Sequence, residues 1–340
     1  MNLENKNLLI VGAGGFIGGF LVREALARGY RVWAGVRPST SRRFLSDPAI
    51  NFLVFDDFES SQSVAATLRS ALPDGAGFDY IVYNLGATKC TNFADFNRIN
   101  FGFLRSFVRA LELNRMSPER FVYMSSLSAI GKGDEKNYTP FNNSMVPDPD
   151  TRYGLSKIKA EMLLEMTPWL HWTIMRPTGV YGPHEHDYLM MIKAIARHID
   201  FGVGFRRQML TFIYVEDLAR AVFDAIASPD TLRRRYILSE KRAYSQAEFR
   251  RIVAEELGTR FVIPVRLPIW ATYLASFIAE KYGVLTLKPS TLNRDKFRIM
   301  KQRNWTCDVS DAVRDFGFNP QVDLRSGIRR TIQAYRDSQQ

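Results

Sequence analysis

Short apolar runs alternate with segments of helical periodicity from the start of the chain. Leu8-Leu9-Ile10-Val11 reads as a buried strand, and Phe20, Leu21, Ala25 and Leu26 then recur at helix spacing as far as Gly29. The same alternation continues with strands at Tyr30 to Gly35, Asn51 to Phe55, Tyr80 to Tyr83 and Arg120 to Met124. Between them lie a helix through Val64 and Leu72 and one containing Asn97 to Leu111, with Asn100 in its middle. A sixth strand begins at Trp172 and runs into the turn ending at Pro183. Strands and helices in this order predict an α/β fold, a parallel doubly wound sheet with ligands at the carboxyl ends of its strands.

The last third is patterned differently. A helix from Tyr188 to His198, a short strand near Thr211 to Tyr214, a helix from Val215 to Ala227 and a strand at Arg235 to Leu238 are predicted, then a helix opening at Ser245 with Glu248 at capping-box spacing. The expected organisation is a nucleotide-binding domain from 1–175 joined by about 211–240, with 176–210 and 241–340 forming a smaller substrate lobe. Residues Gly131 to Asp150, rich in Gly, Pro, Asn and Asp, read as a loop over the site.

The candidate chemistry sits at the strand ends. Gly12, Gly15 and Gly18, with Gly14 between them, fall directly after the first strand and open the first helix, which lets backbone approach a pyrophosphate at the helix N-terminus. This is the dinucleotide-binding arrangement of a Rossmann domain. After the second strand stands Arg37, followed by Arg42 and Arg43, where an acidic residue would hold the ribose of NAD; a guanidinium there suits the extra phosphate of NADP(H), which is therefore preferred over NAD(H). Asp56 and Asp57 close the third strand as candidate partners of the adenine. The fourth strand runs into Asn84-Leu85-Gly86-Ala87-Thr88, and the fifth ends in the hydroxyls of Ser125 and Ser126. Tyr153 and Lys157 lie four apart in a segment that reads as helix, so a cation sits on the same face as a phenol and favours its ionised form. His184 and His186 form a His-x-His pair without further ligands at a recognisable spacing, so no metal is expected.

Taken together these residues resemble the extended short-chain dehydrogenase/reductase family. The likeness rests on Gly12-x-x-Gly15-x-x-Gly18, Asn84-Leu85-Gly86-Ala87, Ser125-Ser126, Tyr153-x-x-x-Lys157, the run from Arg176 to Pro183, and Phe212 to Ala219. It implies Tyr153 as general acid in ketone reduction, Lys157 lowering its pKa and binding the nicotinamide ribose, Ser126 on the substrate oxygen, and Asn100 supporting a proton relay. Cofactor contacts implied alongside the glycines and aspartates are Phe16, Ile17, Leu85, Gly86, Ala87, Pro177, Thr178 and Val180. A homodimer is also implied. Members acting on nucleotide sugars commonly carry an Arg-Asp pair where this chain has Leu210-Thr211, and Asn where it has Gly179. An apolar residue does not neutralise a diphosphate, although Arg206 or Arg207 stands nearby. In this respect the chain is more similar to the 3β-hydroxysteroid dehydrogenase and dihydroflavonol reductase branch.

Charge narrows the picture further. The net charge is +11, and the segment from Arg260 to Arg303 carries nine basic residues (Lys288 among them) against two acidic ones, so most of the excess is concentrated there. Within it, Leu267 to Ala279 is uncharged and rich in aromatics: either a helix packed into the substrate lobe, or one lying on an anionic membrane. It is too short to span a bilayer. The cluster lacks any nucleic-acid reading motif, so no nucleic-acid partner is expected. Two cysteines, Cys90 and Cys307, and no leader pattern after Met1 point to a reducing, cytoplasmic setting, with peripheral membrane contact. The expected activity is reduction of a ketone on a hydrophobic substrate, such as 3-ketosphinganine or a sterol-like 3-ketone. A nucleotide-sugar epimerase, dehydratase or reductase, or a cofactor-binding protein without turnover, are the alternatives.

Overall fold

The computed structural model describes residues 6–72, 76–90, 92–286 and 292–339. Its centre is a seven-stranded sheet: β1 (Asn7–Val11), β2 (Arg31–Val36), β3 (Asn51–Val54), β4 (Tyr80–Tyr83), β5 (Arg120–Met124), β6 (Trp172–Pro177) and, late in the chain, β11 (Arg234–Leu238). The order is β11-β6-β5-β4-β1-β2-β3, and every pairing is parallel. Strand order therefore reverses between β1 and β4, which opens the crevice where ligands of such sheets bind.

Successive strand residues point to opposite faces, and both faces are covered. Leu8 and Ile10 share one core with α1 (Phe16–Ala27) and α7 (Val215–Ala227), while Leu9 and Val11 share the other with α2 (Ser61–Ser70), α4 (Phe103–Leu113) and α5 (Arg152–Glu165). That double burial is why the strands read as continuous apolar runs.

Two predicted elements are rearranged, and the predicted loop is pinned. The helix expected across Asn97 to Leu111 is α3 (Phe93–Asn97), then a π-helical turn at Arg98–Gly102, then α4, so Asn100 lies in the widened turn. The extra residue lets Asn100 reach two flanking segments at once, which offsets its poor helix propensity. The sixth strand stops at Pro177; β7 (Gly179–Tyr181) leaves the main sheet and pairs in parallel with β10 (Phe212–Tyr214). The segment 131–150 is anchored along its length. Phe141 is fully buried, its N–H donates to Thr306 O at 2.8 Å, and its ring stacks on Trp305.

Outside the main sheet, α6 (His186–Ala196), α8 (Gln246–Leu257) and α12 (Leu324–Asp337) enclose a smaller core around Tyr181, Phe212 and Phe249. The capping box expected at Ser245 and Glu248 starts α8. The short strands β8 (Ile199–Val203) and β13 (Ile263–Leu267) form a parallel ribbon that leads into α9 (Ile269–Leu285) and α10 (Arg294–Lys301).

Candidate active site

The glycine turn is shaped by steric necessity. Gly12 adopts φ +82, and a Cβ there would meet Leu85 Cα at 2.9 Å; a Cβ on Gly18 would collide with the carbonyl of Gly12. The turn thus lies directly against the segment after β4. Helix α1 starts at Gly15 with no side-chain cap and no acid in its first turn, so the N–H groups around Phe16 and Ile17 meet no competing acceptor. Gly14 is overlain by Thr40, whose hydroxyl accepts from Arg37 N–H at 3.0 Å, so the loop carrying the arginines folds over the turn. Arg37 is exposed, Arg42 stacks over Phe52 and Arg43 over Phe44. The two aspartates differ: Asp57 accepts from Glu59 N–H and shapes its own turn, whereas Asp56 is exposed and has no hydrogen bond or ion pair among the described residues. Free donors at a helix start, a cradle that admits no Cβ and a cationic loop beside it fit a phosphorylated dinucleotide. Pro177 is buried, and Thr178 and Val180 are half-buried beyond the end of β6; the Thr178 hydroxyl donates to Thr211 O at 3.0 Å.

Tyr153, Lys157 and Ser126 converge beside this cradle. Thr151 caps α5, which places Tyr153 in its first turn, and Ser126, two residues beyond β5, is the N-cap of the short turn that follows. The Tyr153 ring is partly accessible, but its apolar surroundings push the phenol up to about 12, with the Ser126 hydroxyl acting against the shift. The lowering expected from Lys157 is therefore not met, its Nζ being engaged with Met124 O, and the phenol is protonated at neutral pH, the form that donates. Lys157 is buried, and burial brings its ammonium down to about 8 while Glu161 pulls it back up. Its Nζ donates to Met124 O at 2.8 Å, lies 5.9 Å from the centre of the Tyr153 ring, and sits where a Cβ on Gly86 would meet it at 3.1 Å.

Asn100 ties the parts together. Its Oδ1 accepts from Ala87 N–H at 2.7 Å, and its Nδ2 donates to Ala87 O at 3.0 Å and to Ser156 Oγ at 2.8 Å; Ser156 in turn donates to Tyr153 O at 2.7 Å. The strand-end segment containing Leu85, Gly86 and Ala87 is thereby locked to the helix carrying the tyrosine. Every sequence-predicted catalytic residue lies in this one cluster, which leaves His184, stacked on Phe44, and His186, at the start of α6, apart from it. Among the described residues no group of His, Cys, Asp and Glu could hold a metal. The Cys90 thiol is pushed up to about 11 and that of Cys307 to about 12, chiefly by burial, so neither is a ready nucleophile.

Sequence reasoning passed over two layers of this site. Beneath it, one turn after Lys157, Glu161 is fully buried against Arg176, with Nη2 to Oε2 at 2.5 Å and the Ser125 hydroxyl donating to Oε1 at 2.5 Å. An arginine inside an apolar strand run demanded a buried acid, and that was the available signal. Above it, α10 closes on α5: Asp295 accepts the Tyr153 N–H at 3.2 Å, and Asp187 bridges Lys89 at 2.5 Å and Lys296 at 2.8 Å. Glu280 of α9 joins Arg152 and Arg294, which hold its carboxyl down to about 2. Nothing local in the sequence announces these pairings, which join residues far apart along the chain.

The sequence profile of the NAD dependent epimerase/dehydratase family matches residues 8–238. The chain belongs to that family. Its members are oxidoreductase-fold enzymes of the extended short-chain type that bind a nicotinamide dinucleotide. Among its relatives, "Ceramide reductase" of Caulobacter vibrioides is 26% identical, over 96% of this chain and 93% of that one. The 3beta-hydroxysteroid-dehydrogenase/decarboxylase isoform 3 of Arabidopsis thaliana is 22% identical over 96% of this chain and 61% of that protein. Among solved structures, UDP-glucose 4-epimerase of Thermotoga maritima superposes with TM-score 0.77 at 19% identity, covering 98% of this chain and 100% of that one. The family assignment and the Rossmann sheet read from the sequence are thus both borne out.

Proposed function

We propose that this enzyme reduces a ketone on a hydrophobic, lipid-like substrate with NADPH, the substrate being of the sphinganine or ceramide type. The observation that carries this reading is the character of the substrate side. Where sugar-nucleotide enzymes place a diphosphate-gripping arginine this chain has Leu210, half-buried in β9 (Met209–Leu210), and in the place of the aspartate after it Thr211 is buried, its hydroxyl donating to Trp305 O at 2.6 Å. Similarity to a ceramide reductase along nearly the whole chain supports the same class. The arginines at 37, 42 and 43, in a loop with no acid between them, support NADPH over NADH.

When bound, the reduced nicotinamide supplies the hydride that reaches the carbonyl carbon. Tyr153 Oη gives its proton to the carbonyl oxygen, which the Ser126 hydroxyl holds as negative charge grows on it. The phenolate left behind is stabilised by the Lys157 ammonium and recovers its proton from solvent. Asn100 acts through Ala87 and Ser156, keeping both walls of the site in register.

The competing reading, action on a nucleotide sugar, draws support from Arg206 and Arg207, both exposed and without an ion pair among the described residues. One assay separates the readings: NADPH oxidation measured against 3-ketosphinganine, its N-acylated form and a panel of nucleotide sugars. Turnover of the ketolipids supports the proposal, and turnover only of the sugars overturns it. Tyr153→Phe should lose roughly 10²- to 10⁴-fold in kcat with NADPH binding kept, and unchanged turnover would remove the general-acid role.

A further inference from the structure

The helix α9 is built inside out. Its inward face carries Thr272, Ser276 and Gly283, small residues that are buried. The two hydroxyls are satisfied within the helix itself, Thr272 Oγ1 donating to Pro268 O at 3.1 Å and Ser276 Oγ to Thr272 O at 2.7 Å. The outward face repeats large apolar residues at i, i+1, i+4 and i+5: Ile269 and Trp270, Tyr273 and Leu274, Phe277 and Ile278, then Tyr282 and Leu285. Trp270 is 71% exposed, Tyr282 68% and Leu285 82%. A stripe of this length, about 25 Å along the axis at 1.5 Å per residue, is the reverse of what a water-facing helix presents. It extends onto the neighbouring ribbon: Phe205 is 77% exposed, next to Gly204, whose Cβ position lies 3.2 Å from Ile269 Cγ1.

The charges around this face sort into two groups. Five of the nine basic residues counted in the 260–303 segment are engaged within the protein: Arg266 by Asp200, Arg294 by Glu280, Lys296 by Asp187, Arg298 by Asp150 O, and Arg303, buried, by Val203 O at 2.7 Å. Lys288 lies outside the described residues. The cations left at the apolar stripe without an ion pair among the described residues are Lys281, on the stripe itself, and Arg206 and Arg207, directly after Phe205. The nearby acids Glu280, Asp187 and Asp200 are all taken by internal partners.

We infer that this face docks on an anionic lipid bilayer, α9 lying in the plane of the interface. A long apolar stripe with aromatic rings that suit the headgroup level, and an unbalanced cationic rim, is complementary to that surface. A second copy of the chain fits it poorly, because a two-fold face-to-face contact would set Lys281, Arg206 and Arg207 against a matching cationic rim. No helix among the described residues is long and apolar enough to cross a membrane, so the contact is one of lying on the surface. Because Glu280 links α9 to Arg152, and α10 holds the Tyr153 N–H through Asp295, the docked face is mechanically continuous with the roof of the site.

The test is co-sedimentation of the full chain, without substrate, with phosphatidylcholine vesicles containing or lacking phosphatidylglycerol, so that it is independent of the ketone assay. The wild type should sediment with the anionic vesicles, with a blue-shifted tryptophan emission. Trp270→Ser with Ile278→Ser should abolish it while leaving NADPH binding and the unfolding midpoint in place. Arg206→Gln and Arg207→Gln should each weaken vesicle affinity about fivefold, and salt should do the same. A wild type that stays in the supernatant overturns the proposal, as does vesicle binding unaffected by these changes. Light scattering that shows a stable dimer lost in the Trp270→Ser, Ile278→Ser protein, without vesicle binding, also overturns it and assigns the face to a second copy.

Discussion

The floor of the active site and the outer face of α9 break the ordinary rule of burial in opposite directions. Under Tyr153, the chain buries Lys157, Glu161 and Arg176 and engages each with hydrogen bonds or an ion pair. Along α9 it leaves Trp270, Leu274, Ile278 and Tyr282 exposed among the described residues. The Glu161–Arg176 pair is compensated inside the molecule and is therefore expected to resist substitution; the apolar stripe is compensated by nothing among the described residues and should tolerate it. Polar groups in the interior mark where chemistry is positioned, and apolar groups outside mark where another phase or partner completes the surface.

The sharpest way to break this contrast is Arg176→Met. It leaves the Glu161 side chain buried with only the Ser125 hydrogen bond and should cost about 3–5 kcal/mol of unfolding free energy by urea titration. A cost near zero would mean that the pair is solvated in solution.

Lys157→Met sharpens the same comparison with the opposite sign. The ammonium is brought from 10.5 down to about 8 on folding, so the unfolded chain holds more protons between those values and wild-type stability rises with pH across that window. Below pH 8 the full penalty applies. The methionine variant should therefore be more stable than the wild type by about 1–3 kcal/mol at pH 7, with the advantage gone above pH 10.5 and with activity lost. Denaturation curves at pH 7 and near 10.5 check the sign; an advantage that grows with pH would contradict it.

The smallest effect belongs to the other region. Leu274→Ser should shift stability by no more than about 0.5 kcal/mol, since the side chain has little cover to lose. A large destabilisation would show that α9 is packed against something in the free protein.

How much of this was legible before the fold was known follows the same division. The strands of the parallel sheet and the glycine turn could be read because each rests on local signals, an apolar run or a residue type that only one backbone conformation admits. Tyr153, Lys157, Ser126 and Asn100 could be named as candidates from motif spacing, and the structure gathers them, yet the π turn that lets Asn100 hold Ala87 and Ser156 leaves no mark in a periodicity. The charge of the 260–303 segment was legible as a number and misleading as a surface, because Asp200 and Asp187 pair with Arg266 and Lys296 from distant positions. The inversion of α9 was written openly in its sequence, as Thr272 and Ser276 on one side and Trp270, Phe277 and Ile278 on the other. It could be recognised only once the fold showed which side faced in.

The bond from the Tyr153 amide to Asp295 has a temporal consequence, since its two ends are separated by 142 residues and the neighbouring contact from Arg298 to Asp150 by 148. Chains emerge from the ribosome N-terminus first, and loops this long close late. The glycine turn and the strands beside it precede the segment that roofs the tyrosine in order of synthesis, so the contacts over the tyrosine are expected to be among the last to close.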